Sequence, residues 1–222
     1  QHSGTQNLEG RGWDDQQDGL AIAAAGATLA YLQETQKTSL GHIRQLLPYR
    51  SGQTLEIDAA TRRSLELTHT MRDRDRNGSL LAVLDETQTP MGARRLAAWL
   101  SSPLKDKAAI ERRHGAVAEL LGDNRFRTKI RQSLSEVYDL ERLLGRIATG
   151  RASPRDLRQV GVTLSQLPGL KACLAERHSP RIVELEQGLL LSDSLREQLL
   201  SALCEECPLH LRDGGFVRDG YS

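Results

Sequence analysis

The chain has 222 residues, enough for one large domain or two small ones that bury a core without disulfides or a metal. Its 30 lysines and arginines against 29 aspartates and glutamates leave a formal charge of +1, which excludes a polycation of the histone type. Aromatic residues make up only 4% of the chain, which argues against a single-strand nucleic-acid binder built on stacked rings. The composition therefore predicts a soluble globular protein.

The cysteines and the longest apolar run bear on the cellular compartment. Cys173, Cys204 and Cys207 are an odd number of thiols, which predicts reduced cysteines in a cytoplasm rather than a disulfide scaffold. The apolar run over residues 20–32 is too short to span a bilayer, and acidic residues precede it where an export signal carries lysine or arginine. The sequence thus predicts a cytoplasmic protein without a membrane segment. Neither terminus resembles a finished end, so we interpret the chain as a piece of a larger protein.

The first half of the chain predicts four helices and one short strand. The earliest helix, from residue 14 or 18 to residue 36, is apolar nearly all round, which is typical of a buried helix. Residues 54–57 alternate and favour a short strand, whereas the Asn-Gly that ends residues 71–78 indicates a loop. The later helices are predicted over residues 59–67, 79–85 and 89–100, with Asp58 and Thr89 as N-caps and with Leu96, Trp99 and Leu100 facing inward.

Helical patterns continue through the second half. Asp106 is the predicted N-cap of one helix, and Ser153 followed by proline starts another that Pro168 is expected to end. Ser194 and Glu197 form a predicted capping box for the last helix. About nine helices with at most one or two short strands predict an all-α fold. The predicted inward stripes comprise Ile110, Val117, Leu120 and Leu121; Val137, Leu140, Leu143, Leu144 and Ile147; Leu157, Val160, Leu164 and Leu167; and Leu195, Leu199, Ala202 and Leu203.

A search for chemistry finds no motif that defines a site. The sequence contains no phosphate-binding loop and no dinucleotide fingerprint. The six histidines are scattered, and His114 on an apolar helix face is predicted to be a packed core residue rather than a metal ligand. Cys204 and Cys207 have the spacing of a zinc or redox pair, but their position at a helix end before a proline favours ordinary cysteines. A redox or metal role stays open for this pair, and no catalytic, cofactor-binding or metal-binding residue is predicted.

Arginine dominates the cations and suits bidentate contacts with phosphate groups. In the segment from Arg72 to Arg76 the arginines alternate with aspartates, which neutralise much of their field. We therefore predict solvated faces and ion pairs for most clusters, together with at most weak, sequence-blind DNA binding that falls with salt. The clusters are Arg72, Arg74 and Arg76; Arg94 and Arg95; Arg112 and Arg113; and Arg125, Arg127 and Arg131.

Several stretches follow one another in a recognisable order along nearly the whole chain: residues 8–10, 23–36, 55–67, 78–100, 103–104, 139–143, 146–147, 152–157 and 214–221. Together they resemble the MutS family of DNA mismatch repair proteins, and residues 78–100 are the most specific of them. Ser64 and Arg95 depart from the family's usual asparagine and aliphatic residue at their positions, and Arg95 indicates that its helix face lies at a lobe surface.

The resemblance implies a multihelical core of the MutS type with two helical lobes. Residues 1–17 would be a lead-in from the family's connector, residues 18–105 the first lobe and residues 106–207 the second lobe or lever region. Residues 208–222 would form a turn and a short extended segment that leads toward the family's DNA clamp, which the chain does not include.

For the intact parent protein, the resemblance implies binding of mismatched duplex DNA, hydrolysis of ATP with Mg²⁺, a homodimer formed by the ATPase domain, and a MutL-type partner. The fragment itself would not be an enzyme and would hold no cofactor; it would carry conformational signals between the DNA and ATP sites. One alternative is a stand-alone helical adaptor or protein-interaction module without a DNA role, which a reading frame ending at Ser222 would favour. Another is a helical enzyme whose site the sequence does not reveal.

Overall fold

The computed structural model describes residues 18–36, 43, 52 and 54–221, and it divides the chain into two units, Gln1–Gly52 and Gln53–Ser222. The described residues are 64% helical with no strand or sheet, which confirms the predicted all-α class. They form α1 (Gly19–Gln36), α2 (Ala59–Ser64), α3 (Leu80–Leu84), α4 (Pro90–Ser101), α5 (Lys107–Gly122), α6 (Asn124–Ser135), α7 (Leu140–Ala148), α8 (Pro154–Leu174), α9 (Pro180–Gly188), α10 (Asp193–Ala202) and a 3-10 turn (Leu211–Asp213).

The division of the chain differs from the predicted lobes. The structure separates the units between Gly52 and Gln53, whereas a lobe boundary near residue 105 stays a prediction. The predicted lead-in, residues 1–17, lies outside the described residues. None of the helices in the described ranges is long and apolar enough to cross a membrane.

In the first unit, α1 is the helix that the structure describes. Leu20 is 90% exposed and Tyr31 is 65% exposed, so the prediction that this helix is buried is wrong for the described chain. A helix that is apolar on every side needs neighbours on every side. No second helix of the first unit is among the described residues, so no described helix of that unit packs against the apolar faces of α1.

In the second unit, α8 is the central element. It packs against α6, α7, α9 and α10, and it places Val160, Thr163 and Leu170 in the core. The helix continues to Leu174 through Pro168, so the predicted end at this proline is wrong. A proline inside a helix costs about 3 kcal/mol, but Leu170 and Cys173 beyond it are buried, and their packing offsets that cost.

Most of the predicted helix starts are confirmed by their caps. The side chains of Asp58, Thr89 and Asp106 accept hydrogen bonds from backbone N–H groups three residues on, at 2.8, 3.0 and 2.7 Å. Ser153 and Asp156 form a full capping box, in which each side chain accepts from the other residue's backbone N–H. These four caps depend on neighbouring residues only, which is why a local pattern was sufficient to predict them.

Two predicted boundaries differ in the structure. The helix expected over residues 59–67 ends at Ser64, because Glu66 has φ +48° and Leu67 turns into the core. The capping box predicted at Ser194 is wrong, since α10 begins at Asp193. The Asp193 carboxylate lies in the first turn, where the helix dipole favours it, and it pairs with Arg196 at 2.7 Å.

The strand predicted over residues 54–57 is also reduced. Thr54 forms an isolated antiparallel bridge with Leu104, and Leu203 forms another with Val217. In each case a backbone hydrogen bond accompanies the bridge, from Leu55 to Pro103 at 2.8 Å and from Cys204 to Phe216 at 3.0 Å. The bridges fasten a loop to a helix end without building a sheet.

Several residues predicted to face inward are exposed instead. Trp99 is 40% exposed, and the Arg113 guanidinium covers one face of its ring, 3.9 Å from the centroid. His114 is exposed and is not the packed core histidine that the pattern predicts. Helix α5 contacts α6 and α9, which cover only part of its circumference. The other predicted inward residues that lie exposed are Val117, Leu121, Leu144, Ile147 and Leu195.

Candidate functional site

Charged side chains fasten helices of the second unit to one another at several places. The first, which we call the Arg94 joint, consists of Arg94, Asp139 and Glu141. Arg94 lies in α4 and donates from Nη1 and Nη2 to the two carboxylate oxygens of Asp139, at 2.7 and 2.8 Å. Its Nη2 also donates to Glu141 at 2.6 Å. Asp139 is at the same time the N-cap of α7, so the joint ties α4 directly to the start of α7.

The electrostatics of the Arg94 joint keep it charged. The hydrogen bonds that Arg94 donates to Asp139, and then those to Glu141, raise the pKa of Arg94 above its ordinary range. The hydrogen bond from Arg94 is the largest cause that holds the pKa of Asp139 below its usual value. The neighbouring Arg95 is exposed, in agreement with its predicted place at a surface. Ion pairing was predicted for this cluster, and the structure confirms it for Arg94.

The second place, which we call the Arg177 joint, consists of Asp123, Phe126 and Arg177. The Arg177 guanidinium lies 3.8 Å from the centroid of the buried Phe126 ring and pairs with Asp123 at 3.1 Å. Asp123 also caps α6 by accepting from the Phe126 N–H at 2.9 Å. That backbone hydrogen bond, followed by the one from Arg177, lowers the pKa of Asp123. The joint thereby connects the turn between α5 and α6 to the turn between α8 and α9.

Beside the Arg177 joint, Glu119 of α5 caps the N-terminal end of α9. Its carboxylate accepts from the backbone N–H groups of His178 and Ser179, at 3.0 and 2.8 Å. The His178 hydrogen bond is the largest cause of the lowered pKa of Glu119. Helix α9 begins at Pro180, directly after Ser179, but the serine hydroxyl makes no cap hydrogen bond. A carboxylate from another helix takes over the capping role.

A third set of charges closes the turn between α7 and α8. Arg146 of α7 pairs with Asp156 of α8 at 2.8 Å, and Gly150 between them adopts φ +67°. Burial opposes ionisation of Asp156, but hydrogen bonds from Ser153 and the charge of Arg146 outweigh it and lower the pKa of this carboxyl. The turn is therefore held by a buried carboxylate with a full set of partners.

Two cations of α8 satisfy the free carbonyl groups at the ends of other helices. Arg158 donates to the Leu200 carbonyl near the end of α10 at 3.3 Å. Lys171 donates to the carbonyls of Glu186 and Leu189 at the end of α9, at 2.8 and 2.9 Å. Cations stabilise helix C-termini in this way. Sequence reasoning missed both residues, although a cation inside the predominantly apolar α8 is a signal for such a role.

An arginine-rich cavity of about 680 Å³ lies beside the turn between α7 and α8. Arg142, Arg151 and Arg155 line it, are exposed, and form no ion pair with any residue that the structure describes. The cavity's two carboxylates are already engaged, Asp139 with Arg94 and Asp156 with Arg146. An excess of positive charge suits weak contacts with phosphate groups.

The cysteines and histidines do not assemble a metal site in the described part of the chain. No group of three or more histidine, cysteine, aspartate or glutamate side chains is placed there so that it could hold a metal ion. Cys204 and Cys207 do lie close to one another, with their sulfur atoms 3.6 Å apart. Cys173 is buried in α8.

These features define a class of protein: a multihelical scaffold in which charged side chains from distant segments fasten one helix end to another. The family model for MutS domain III matches residues 60–219. The chain therefore belongs to the MutS domain III family, as the resemblance predicts.

Relatives of known identity support the same assignment. The DNA mismatch repair protein MutS of Rhodopirellula baltica is 56% identical over 215 residues, which are 97% of this chain and 24% of that protein. The same-named protein of Symbiobacterium thermophilum is 45% identical and that of Salinibacter ruber 40% identical, each across 100% of this chain. The matched segment makes up 25% of the Symbiobacterium thermophilum protein and 24% of the Salinibacter ruber protein. The chain thus spans about a quarter of the length of the curated relatives it matches.

Proposed function

We propose that the chain is the structural core through which a DNA mismatch repair protein passes conformational changes between its DNA-binding and ATP-hydrolysing parts. The observation that carries this proposal is the Arg94 joint, which fixes α4 to α7 by a bidentate contact between residues 45 positions apart. The identity of the relatives as DNA mismatch repair proteins supports the repair role.

The physical argument concerns rigidity. Apolar contacts are non-directional and let helices slide, whereas a planar guanidinium that binds both oxygens of a carboxylate fixes distance and orientation together. Arg94 is half exposed, so its ion pair contributes little to stability and its effect is on geometry. A displacement of α7 would thereby be passed to α4 instead of being absorbed by a flexible contact.

The remaining expectations belong to the proposed parent protein. Its partners would be mismatched duplex DNA, a second copy of itself and a MutL-type protein; ATP with Mg²⁺ would be bound by another domain, and the protein would work in the cytoplasm. The chain itself would be neither an enzyme nor a cofactor carrier. Its unpaired arginines, Arg142, Arg151 and Arg155, favour weak contact with DNA phosphates and no reading of bases.

A domain exchange tests the proposed function. The segment of the Rhodopirellula baltica protein that matches this chain is replaced by the chain, and the mutation frequency of a strain lacking the native gene is measured with the hybrid. We expect the hybrid to lower the mutation frequency as the intact relative does. A hybrid that is expressed and folded but leaves the frequency unchanged would favour the adaptor alternative.

A binding titration with the isolated chain tests the division of labour. At fixed salt, the chain is titrated with a duplex containing a G·T mismatch and with its matched control, and we expect weak binding of equal affinity to both. Arg155→Ala is expected to weaken this binding, whereas Arg112→Ala, an exposed arginine outside the cavity, serves as the matched control. A tenfold preference for the mismatch, about 1.4 kcal/mol, would contradict the proposal.

A further inference from the structure

Cys204 and Cys207 stand out because the proposed function makes no use of them. They lie in the turn that follows α10, and their sulfur atoms are 3.6 Å apart. The Cys207 thiol donates to the Cys204 carbonyl at 3.2 Å, which folds the second cysteine back onto the first. Two thiols in contact across a tight turn are arranged for reaction with one another.

The base of this turn is held in place on both sides. Leu203 forms an antiparallel bridge with Val217, and the Cys204 N–H donates to the Phe216 carbonyl at 3.0 Å. The Arg218 N–H donates to the Ala202 carbonyl at 2.8 Å, so the end of α10 is joined to the extended segment after Gly215. The proximity of the two sulfurs is therefore built into the backbone, and a new bond between them requires only a short side-chain movement.

The two thiols differ in their surroundings. Cys204 is half-buried, whereas Cys207 is only 4% exposed. Burial is the largest cause that raises the pKa of Cys207, and the neighbouring Cys204 adds to it, while the charges of Arg158 and Arg155 oppose it less strongly. A reagent in solution therefore reaches the Cys204 sulfur first, whereas Cys207 is shielded from solvent and remains a neutral thiol.

We propose that Cys204 and Cys207 form an oxidisable dithiol that a peroxide converts into an intramolecular disulfide. In the first step the Cys204 thiolate attacks one peroxide oxygen, the O–O bond breaks, and Cys204 becomes a sulfenic acid, while the leaving hydroxide takes up the proton that the Cys204 thiol released and forms water. In the second step the Cys207 sulfur attacks the Cys204 sulfur, the S–O bond breaks, and the leaving hydroxide takes the Cys207 proton to form water. Two electrons pass from the two thiols to the peroxide, and with hydrogen peroxide the products are one disulfide and two waters.

Other roles for the pair fit the surroundings less well. A structural zinc ion needs four ligands, and in the described chain no third ligand of the histidine, cysteine or carboxylate type joins the two thiols. A permanent structural disulfide is also disfavoured. The bond would close a loop of very few residues, so it would restrict the unfolded chain only slightly. A reversible, locally acting modification is the outcome that the geometry supports.

Peptide mapping tests the proposal directly. The chain is treated with hydrogen peroxide, unfolded, alkylated and digested with trypsin, which places Cys204 and Cys207 in one peptide (197–212) and Cys173 in another (172–177). We expect the first peptide to lose two hydrogens and to escape alkylation, while Cys173 is still alkylated. The dithiol should react at least about tenfold faster than Cys173, because Cys173 is buried and lacks a second thiol.

Single substitutions separate the two steps. Cys207→Ser should stop the reaction at a sulfenic acid on Cys204 that a dimedone probe labels, and Cys204→Ser should leave Cys207 unoxidised. Cys173→Ser should not alter formation of the disulfide and serves as the control. Full alkylation of both cysteines in the peroxide-treated parent chain, which needs no variant to fold, would overturn the proposal, as would equally fast oxidation of Cys173. The result does not depend on the proposed repair function.

Discussion

The Arg94 joint and the Arg177 joint use the same chemistry in different surroundings. Arg94 is 49% exposed and pairs with the carboxylates of Asp139 and Glu141, whereas Arg177 is 18% exposed and lies against the Phe126 ring in addition to its ion pair. An ion pair in water contributes little to stability, but a half-buried pair on an aromatic ring combines packing with charge. The comparison indicates that the Arg94 joint sets the position of α4 relative to α7, whereas the Arg177 joint also stabilises the fold.

The largest expected effect is the loss of the Phe126 ring. Phe126→Ala should lower the free energy of unfolding by about 3–5 kcal/mol, because it leaves a cavity and removes the surface on which Arg177 lies. Urea unfolding followed by circular dichroism provides the measurement. Phe126→Leu, which keeps most of the apolar volume, should cost less than half as much. Equal costs for the two variants would show that the site is not packed as described.

Arg177→Ala should have the next largest effect. We expect a loss of about 1–3 kcal/mol in urea unfolding, because the variant removes the ion pair with Asp123 and uncovers Phe126. Arg177→Lys keeps the charge but loses the flat contact with the ring, so it should lie between the parent and the alanine variant. A lysine variant as stable as the parent would mean that stacking contributes nothing.

Acid should weaken both joints. The folded-state pKa values of Asp123 and Asp139 are lowered, so the stabilisation that they provide is complete above the unfolded pKa of about 3.9 and is lost as the pH falls through the folded value. The urea concentration at the midpoint of unfolding should therefore stay constant near neutral pH and should decrease as the pH falls toward 4 and below. Asp139→Asn should make this decline shallower, whereas Asp73→Asn in the exposed loop should not. A parallel decline in all three proteins would exclude Asp139 as a contributor.

The smallest expected effect on stability belongs to the Arg94 joint. Arg94→Ala should lower the urea midpoint slightly relative to Arg95→Ala, the substitution at the neighbouring position of α4, and by less than Arg177→Ala does, because the Arg94 ion pair is half exposed. A loss for Arg94→Ala as large as that for Arg177→Ala would remove the contrast between the two joints.

The features that the sequence predicted well are local ones. Caps at Asp58, Thr89 and Asp106 depend on a side chain and a backbone N–H three residues apart, and the pattern of each is visible in a short window. The all-α class follows from many such windows. The family resemblance succeeded for a related reason, because long specific stretches such as residues 78–100 occur in order.

The features that the sequence did not predict depend on distant partners. Nothing in a window around Arg94 shows that Asp139 faces it, and nothing around Ser179 shows that Glu119 supplies its cap. The continuation of α8 through Pro168 follows from tertiary packing that overrides local preference. Trp99 belongs to the same class, since a helical stripe predicts a face but not whether another element covers it.

The most direct test of the central claim is the rate at which ATP releases the protein from a mismatch. In the hybrid with the Rhodopirellula baltica protein, the complex with a fluorescent G·T duplex is mixed with ATP, and release is followed for the Arg94→Ala and Arg95→Ala variants. We predict that Arg94→Ala slows release by about tenfold without changing mismatch affinity in the absence of ATP, and that Arg95→Ala behaves as the parent. Equal release rates for the two variants would contradict the claim that the Arg94 joint transmits the conformational change.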